Sequence, residues 1–303
     1  MVAALVIADG KTGGRDGFDA QREVGAIPAI QRIVKVFRLA GVERIVVVCG
    51  RDGYKAEQLV SRMNVTILHN NSDCAEMLDS VKTGLDYLRD KCAAALITHI
   101  DVPLFSVETV RALSASCGPV CIPSYEGVTG HPIMLRSELF EKISSYRGEG
   151  GLAGAVIDSG IQSQIVEVGD EGILVNINHN KGYEGLIEKH DLMEMHTDVR
   201  IRLVREKAFY GPGAHQLLQL TDETNSVLEA CRKMGLSYSK GRGIIAAIEQ
   251  QFGYPVIESR LGGKSGSRSR VTKEGKELMR GYEGYCAEAK EFLDELFGKY
   301  FTR

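Results

Sequence analysis

The stretch LVIADGKTGGRDG, from Leu5 to Gly17, decides the fold of this chain. A short apolar run ends in Ala-Asp-Gly and continues into further glycines with mixed charges. This pattern predicts a buried first strand that enters a glycine-rich turn, and such turns present backbone N–H groups to phosphate. Whether the turn is a working nucleotide site is the first question that the sequence raises.

Composition limits the class of protein. The chain has 303 residues, of which 44% are hydrophobic and 25% charged, and its formal net charge is -3. This length predicts about two domains, and the net charge gives no overall sign of a nucleic-acid or membrane partner. The seven cysteines show no CxxC spacing, which argues against a disulfide framework and a structural zinc site. Without a leader pattern or a membrane-length apolar run, we expect a cytoplasmic protein with no membrane partner.

The first 190 residues alternate short β-branched runs with amphipathic helical patterns. Such alternation predicts an α/β fold, with a doubly wound, mostly parallel sheet of the Rossmann type. A polar stretch near residue 195 then leads into a mostly helical region. We therefore predict one domain over residues 1–192 and a second over 198–303. Ligands of such sheets bind beyond the carboxyl ends of the strands.

Asp101 follows one of these predicted strands, in ITHIDVPLFS, and a proline two residues later prevents the strand from continuing. A carboxylate at the ligand edge of the sheet suits magnesium, which binds one or two carboxylates together with substrate phosphates. The alternative is a structural one, in which Asp101 is a loop residue or caps a helix that starts near Ser106.

The ordered motifs IADGKTGGRDG, GAIP, NNSDCAEMLDSVKTGL, HIDVPLF, GHPIML and VNINHN resemble the MobA-like molybdopterin nucleotidyltransferase family over most of residues 1–190. The resemblance implies Mg²⁺ and a nucleoside triphosphate or molybdopterin nucleotide as ligands. It implies catalytic roles for Arg15 and Asp101, and metal binding by Asp101 with two asparagines of a late strand, Asn176 and Asn178. The residues implied in nucleotide binding are Ala8, Asp9, Gly10, Lys11, Thr12, Gly13, Asn71, Ser80 and His131.

One departure from this family bears on catalysis. The glycine loop lacks the family's lysine in register, and its substitutes are Lys11, Arg15 and Arg22. Nucleotidyl transfer depends on positioning and on electrostatic stabilisation, and loss of one preorganised donor costs on the order of a hundredfold to a thousandfold in rate. His131 also has a structural alternative, in which it only hydrogen-bonds a neighbouring loop.

The C-terminal region predicts a winged helix-turn-helix domain. Helices are predicted near residues 214–220, over 226–234 after an N-cap at Asn225 or Ser226, and then through Phe252, with a turn over 235–237. Residues 232–273 carry nine basic residues against two acidic ones, Glu249 and Glu258. A local excess of that size is typical of phosphate-backbone binding, so we expect DNA as a partner. The predicted DNA-binding residues are Ser237, Tyr238, Ser239, Lys240, Arg242, Lys264, Arg268 and Arg270.

Three further motifs, FYGPGAHQLL, ACRKMGLSYSKGRGII and GYPVIESRLGGKSGSRSRVTKEGKELMRGY, closely resemble the winged helix of molybdate-responsive (ModE-like) regulators. That domain is itself similar to the LysR-type DNA-binding domain, and the resemblance covers about residues 200–285. It implies a regulator of molybdenum-related genes.

A long C-terminal helix is predicted next, with an apolar 3.5-residue repeat that is typical of a coiled-coil seam and hence of a homodimer. The alternative is that this stripe packs on its own wing or on the first domain. Its members are Leu278, Tyr282, Tyr285, Ala289, Phe292 and Leu296.

Three functional classes follow from these patterns. The chain is a transcription regulator whose first domain senses a nucleotide or molybdopterin nucleotide, or an active enzyme that transfers a nucleotidyl group from CTP or GTP to molybdopterin and releases pyrophosphate. In the third class the first domain is a scaffold without a ligand. Asp101 and the GHP turn favour the first two classes, and the missing lysine favours the sensor over the enzyme.

Overall fold

The computed structural model describes residues 1–8, 22–50, 53–61, 63–70, 77–180, 182–191, 197, 199–260 and 268–301. Contacts divide the chain into two compact units, Met1–Glu194 and Met195–Arg303. The strands of the first unit are β1 (Val2–Ala8), β2 (Glu23–Val24), β3 (Ile27–Pro28), β4 (Arg44–Cys49), β5 (Thr66–His69), β6 (Ala94–His99), β7 (Val120–Tyr125), β8 (Val128–Thr129), β9 (Ile133–Arg136) and β10 (Gln164–Glu167).

Helices alternate with these strands. They are α1 (Ala29–Leu39), α2 (Tyr54–Val60), α3 (Met77–Leu88), α4 (Val107–Ala115), α5 (Phe140–Ser145), α6 (Gly151–Asp158) and α7 (Glu184–Lys189), with two short 3-10 turns at Ser137–Leu139 and Glu171–Leu174. In the described part of the unit, eight strands form one sheet in the order β10-β7-β9-β6-β1-β4-β5, with β8 added beside β7. The strands β6, β1, β4 and β5 run parallel, and β9 is antiparallel to both neighbours.

Strand β1 lies in the middle of the sheet and is buried on both faces. Side chains alternate across a strand, so Leu5 and Ile7 join the core on one face, whereas Val6 and Ala8 join the core on the other. Helices α3, α5 and α6 cover the first face, and α1, α2 and α4 cover the second. A Cβ at Gly84 would overlap the Leu5 side chain, so α3 approaches β1 closely because position 84 lacks a side chain. This double burial explains why β1 is continuously apolar.

The second unit contains helices, short strands and a hairpin. Its elements are β11 (Leu203–Val204), β12 (Ala208–Tyr210), α8 (Pro212–Thr224), α9 (Val227–Lys233), α10 (Tyr238–Phe252), β13 (Ile257–Arg260), β14 (Arg268–Val271) and α11 (Lys273–Phe301). Helix α8 extends beyond the predicted 214–220 at both ends, because Pro212 fits the first turn of a helix and Asn225 adopts the left-handed conformation that ends it. Two N-caps, Asn225 and Ser226, were predicted for α9. The N-cap is Ser226, because its hydroxyl accepts from the Glu229 N–H at 3.2 Å.

The turn between α9 and α10 lies where the sequence predicts it. Gly235 has a φ of 62°, in the left-handed region that favours glycine. The hydroxyl of Ser237 then accepts from the Lys240 N–H at 3.3 Å and caps α10. A Cβ at Gly241 would overlap the Cys231 sulfur, so the two helices are packed closely at this point.

The first part of α11 belongs to the core of its own unit. Tyr282 is buried among the rings of Tyr210 and His215, and its hydroxyl donates to the Ile201 carbonyl at 2.8 Å. Leu278 packs on the same core. The predicted seam is therefore wrong at Tyr282, which contacts within the unit bury, and Leu278 is partly buried by the same core. Tyr285 and Phe292, further along, are 57% and 60% exposed.

The predicted fold class is confirmed: a mixed α/β unit with a mostly parallel sheet precedes a unit that ends in a long helix. Among the described residues, no helix is both long enough and apolar enough to cross a bilayer.

Candidate functional site

A cleft of about 430 Å³ opens at the carboxyl edge of the parallel strands. Asp101 lies just beyond the end of β6, and the Ile100 N–H donates to the Ile7 carbonyl at 3.1 Å, which ties this turn to β1. The cleft thus occupies the position where sheets of this class bind ligands. Its lining residues are Met77, His99, Asp101, Val102, Val128, Thr129, Gly130, His131, Ile173, Leu174 and Asn176.

Asp101 and Asn176 are in direct contact, although 75 residues separate them in sequence. The Asn176 side-chain N–H donates to Asp101 Oδ2 at 2.7 Å, and the Ile177 N–H donates to the Asp101 carbonyl at 2.8 Å. Asp101 is only 4% exposed, yet it lines the cleft. The structure therefore brings together two of the three residues predicted to bind metal.

The segment Asn176–Asn180 is a turn, and the predicted late strand at this position is wrong. The Asn180 side chain accepts from the Asn176 N–H at 3.0 Å, and Asn176 Oδ1 accepts from the Asn178 N–H at 2.9 Å. Asparagine side chains thus satisfy the local backbone and make strand pairing unnecessary.

Asn178 faces a cation. Arg22 donates from Nη1 to Asn178 Oδ1 at 3.1 Å and from Nη2 to the Tyr183 hydroxyl at 3.3 Å. A guanidinium therefore occupies the Asn178 oxygen in this structure, and metal binding by Asn178 stays a prediction.

The structural alternative for Asp101 as a helix cap is also wrong. The N-terminus of α4 is capped by Ser106, whose hydroxyl accepts from the Thr109 N–H at 3.1 Å. The Ser106 N–H itself donates to Asp170 at 2.7 Å, and the Val107 N–H donates to Asp191 at 2.7 Å. Other residues thus meet the capping needs of α4, and the Asp101 carboxylate faces the cleft.

His131 lines the cleft beside His99, with ring centroids 5.8 Å apart in an edge-to-face arrangement. Its backbone N–H donates to the Ile173 carbonyl at 3.1 Å, whereas its side-chain Nδ1 is buried without a hydrogen-bond partner among the described residues. Burial lowers the pKa of His131 to about 4, and His99 acts in the same direction; a backbone hydrogen bond at Ile97 and the Asp101 charge oppose the shift. The imidazole is therefore neutral at physiological pH.

Two glycines allow backbone segments to meet at the edge of the cleft. A Cβ at Gly130 would overlap the Ile173 carbonyl, and a Cβ at Gly172 would overlap the Leu104 carbonyl. Hydrogen bonds hold the same region, since the Gly130 N–H donates to the Pro123 carbonyl at 2.9 Å. Any side chain at these two positions would push the segments apart.

The remaining predicted nucleotide residues divide into two groups. Ala8 is buried at the end of β1, and Ser80 is fully buried on α3, where its hydroxyl accepts from the Asn70 side chain at 3.1 Å. The structure does not bring Ser80 into the cleft, because this internal hydrogen bond satisfies it. The residues that lie outside the described part of the chain are Asp9, Gly10, Lys11, Thr12, Gly13, Arg15 and Asn71.

The cleft fits a magnesium ion only if a ligand supplies most of the coordination. The described residues contain no group of three or more His, Cys, Asp or Glu side chains that could hold a metal. Asp101 Oδ2 is engaged by Asn176, and no described residue makes a hydrogen bond to Oδ1. One carboxylate oxygen together with water and substrate phosphates is a usual arrangement for Mg²⁺.

A second candidate surface lies on α10 and the hairpin. Ser237, Tyr238, Ser239, Lys240 and Arg242 are all exposed, as predicted for a helix that reads a groove. Arg270 is exposed on β14 and pairs in register with Glu258. Lys264 and the side chain of Arg268 lie outside what the structure describes.

Glu249, one of the acidic residues in this basic region, joins the hairpin to α10. Its carboxylate accepts from the Val256 and Ile257 N–H groups at 3.0 and 3.3 Å, which holds the start of the hairpin against α10. One of the two acidic residues in the basic region therefore has a structural role.

Sequence reasoning missed two residues of the candidate site. His99 is the last residue of β6 and lies two residues before Asp101. It could have been predicted, because it is a polar residue at the carboxyl end of a buried strand. Tyr183, which holds Arg22, lies beyond the asparagine turn in a segment without periodicity, so the sequence carried no signal for it.

The sheet and the cleft at its carboxyl edge define a doubly wound α/β protein of the nucleotidyltransferase type. The model of the MobA-like NTP transferase domain matches residues 13–164, just over half of the chain. The chain therefore belongs to the MobA-like NTP transferase family.

Individual proteins give shorter matches. Molybdenum cofactor cytidylyltransferase of Escherichia coli (strain K12) is 29% identical over 94 residues, which are 30% of this chain and 48% of that protein. The molybdenum-pterin-binding protein MopA of Rhodobacter capsulatus is 30% identical over 82 residues, 26% of this chain and 31% of that protein. These matches thus span less than half of either relative. A nucleotidyl transferase from Methanothermobacter thermautotroptrophicus shares the fold, with a TM-score of 0.51, 23% identity, and coverage of 59% of this chain and 92% of the other.

Proposed function

We propose that this chain is a molybdenum-cofactor-related transcription regulator. Its first unit binds a nucleotide or molybdopterin nucleotide, and its second unit binds DNA. The observation that carries the first half of this proposal is the Asp101–Asn176 pair, which lines a cleft at the ligand edge of a nucleotidyltransferase-type sheet.

The lining of the cleft contains groups that suit both parts of a nucleotide. Asp101, with Asn176 beside it, would hold a magnesium ion, which would neutralise the ligand's phosphates. His131, Val128 and Met77 also line the cleft, and the neutral imidazole suits an uncharged heterocycle better than a phosphate. A volume of about 430 Å³ falls within the usual range for small-molecule sites.

The chemical class of the ligand comes from the relatives. The Escherichia coli protein is named a molybdenum cofactor cytidylyltransferase, and the Rhodobacter capsulatus protein a molybdenum-pterin-binding protein. Both names support a pterin-linked nucleotide as the ligand of this chain. A cytoplasmic location is part of the proposal, because the six cysteines that the structure describes are all free, as expected in a reducing compartment.

DNA binding by the second unit rests on the surface of α10. Lys240 and Arg242 are exposed just after the capped N-terminus of this helix, and the hairpin that follows carries Arg270. Exposed cations on a helix and on an adjacent hairpin supply the phosphate contacts of a winged helix, and the hydroxyl side chains of the first turn can reach base edges.

A homodimer completes the regulator. The core of the second unit includes residues of α11 as far as Cys286, and the exposed Tyr285, Phe292 and Tyr300 form an apolar stripe on the same helix. A second copy of the same helix would bury this stripe and would present two DNA-binding surfaces together.

Family membership favours an active enzyme as the second candidate function. In that reaction, a phosphate oxygen of molybdopterin attacks the α-phosphorus of CTP or GTP, the bond to the β-phosphate breaks, and pyrophosphate leaves. Asp101 would hold the magnesium that stabilises the charge of the leaving group, and arginine side chains would assist it.

Titration of the purified full chain with CTP, GTP and ATP in magnesium, followed calorimetrically, tests the ligand. A pyrophosphate-release assay with molybdopterin as acceptor is run on the same sample. Binding without release supports the sensor, and binding with release supports the enzyme. If no nucleotide and no molybdopterin nucleotide binds, the first unit is a scaffold and the proposal fails.

A DNA-binding assay tests the second unit separately. Affinity for genomic fragments that falls steeply as salt rises is expected, because each neutralised phosphate releases counterions. Absence of binding at low salt would contradict the regulatory role.

A further inference from the structure

Arg22 is the first described residue after segment 9–21, and it begins a chain of hydrogen bonds that reaches the cleft. Its guanidinium donates to Asn178 at 3.1 Å, and the Asn178 N–H donates to Asn176 at 2.9 Å. Asn176 then donates to the Asp101 carboxylate at 2.7 Å. The cation is therefore linked in three steps to the acidic residue that lines the cleft.

The backbone also holds Arg22 in place. Its carbonyl accepts from the Ala29 N–H at 3.0 Å, at the start of α1, and residues 23–28 between them form the β2–β3 pair. A residue whose backbone is already held in place loses little backbone freedom when it binds a ligand, which favours affinity.

The charge of Arg22 is not compensated by the described residues. Both of its side-chain partners, Asn178 and Tyr183, are neutral acceptors, and no described carboxylate lies within ion-pair distance of it. Arg89, by contrast, pairs with Asp86 at 3.0 Å. A hydrogen bond from a guanidinium to an anionic oxygen is roughly twice as strong as one between neutral groups, and a phosphate accepts two at once.

We propose that Arg22 binds the phosphate groups of the nucleotide held at the Asp101–Asn176 pair, exchanging Asn178 and Tyr183 for phosphate oxygens. The inference rests on the proposed function, because it requires a nucleotide in the cleft. It assigns to Arg22 the phosphate-facing cation for which the sequence left Lys11, Arg15 and Arg22 as alternatives.

The test compares Arg22→Gln, Arg22→Lys and a control, Arg147→Gln, in the full chain. Arg147 is an exposed arginine of the first unit, and its hydrogen bonds go to the backbone carbonyls of Ser144 and Tyr146. The affinities of a nucleoside triphosphate and of its uncharged nucleoside are measured in magnesium at two salt concentrations.

Arg22→Gln is expected to weaken triphosphate binding by roughly 10- to 100-fold, as loss of a charged hydrogen bond does, and to reduce its salt dependence. Nucleoside affinity is expected to stay unchanged. Arg22→Lys keeps the charge and retains part of the affinity, and the Arg147 control matches the wild type. Asn178→Asp gives Arg22 a carboxylate partner that competes with phosphate. This variant is also expected to bind the triphosphate more weakly than the wild type.

Two results overturn the inference in distinguishable ways. If the wild type binds a triphosphate and Arg22→Gln binds it equally well, or loses nucleoside and triphosphate alike, Arg22 is not a phosphate ligand and the proposed function stands. If the wild type binds no nucleotide, both the inference and the proposed function fail.

Discussion

Protonation of His131 is expected to destabilise the first unit as the pH falls. The imidazole is buried against His99, and burial lowers its pKa from the ordinary value of 6.5 to about 4. In the unfolded chain the same group takes up its proton near pH 6.5. Between the two pKa values the unfolded state therefore binds more protons than the folded state, and stability decreases as the pH falls through this window.

The size of this effect follows from the two pKa values. A shift of one pKa unit corresponds to about 1.4 kcal/mol, so the loss of stability reaches about 1.4 kcal/mol near pH 5.5 and about 3 kcal/mol near pH 4. Because typical domains have only about 5–15 kcal/mol of stability, the effect is measurable.

Urea unfolding, followed by circular dichroism at intervals from pH 7.5 to pH 4.5, measures this loss of stability. The comparison is between the wild type and His131→Gln, since the difference between their pH profiles cancels contributions from other buried histidines, such as His190 and His215. Between pH 7.5 and pH 4.5, the wild type is expected to lose about 2–3 kcal/mol more than the variant. Parallel profiles would refute the reasoning, because they would show that His131 titrates alike in both states.

Three further predictions concern binding. Asp101→Ala is expected to abolish magnesium-dependent nucleotide binding, whereas Asp101→Asn keeps the size of the side chain and isolates the effect of charge; full affinity in both variants, measured by calorimetry, would remove Asp101 from the site. Arg242→Ala is expected to weaken DNA binding by about 1–3 kcal/mol and to lower the salt slope, and unchanged affinity at low salt would contradict the assigned recognition helix. Phe292→Glu is expected to shift the chain toward monomer in sedimentation velocity without unfolding it, because the side chain is 60% exposed; a wild type that is already monomeric would exclude the dimer.

The order of elements was predictable because local patterns determine it. The apolar runs around Leu5, Val47 and Ile97 are too short for helices and are bounded by turn residues, so each was predicted as a buried strand, and each is one. The position of Asp101 followed from the same rule, since it lies directly after such a run.

The details that escaped the sequence depend on contacts between distant residues. Local asparagine bonds shape the turn Asn176–Asn180, but the bonds that place it at the site join it to Asp101 and Arg22, far away in sequence. Tyr282 likewise fits a helical repeat equally well inside a core or outside it. Only the rings of Tyr210 and His215, brought in by other elements, determine that it lies inside.

The two glycines at the edge of the cleft limit how this site could be redesigned for another ligand. Gly130 and Gly172 lie where main chain meets main chain, so even alanine there would change the shape of the cavity rather than its lining. A mutant library that seeks altered specificity should leave both codons fixed. Val128 and Thr129 are exposed side chains on the short strand β8, and diversity placed there would vary the chemistry of the cleft at little cost to folding.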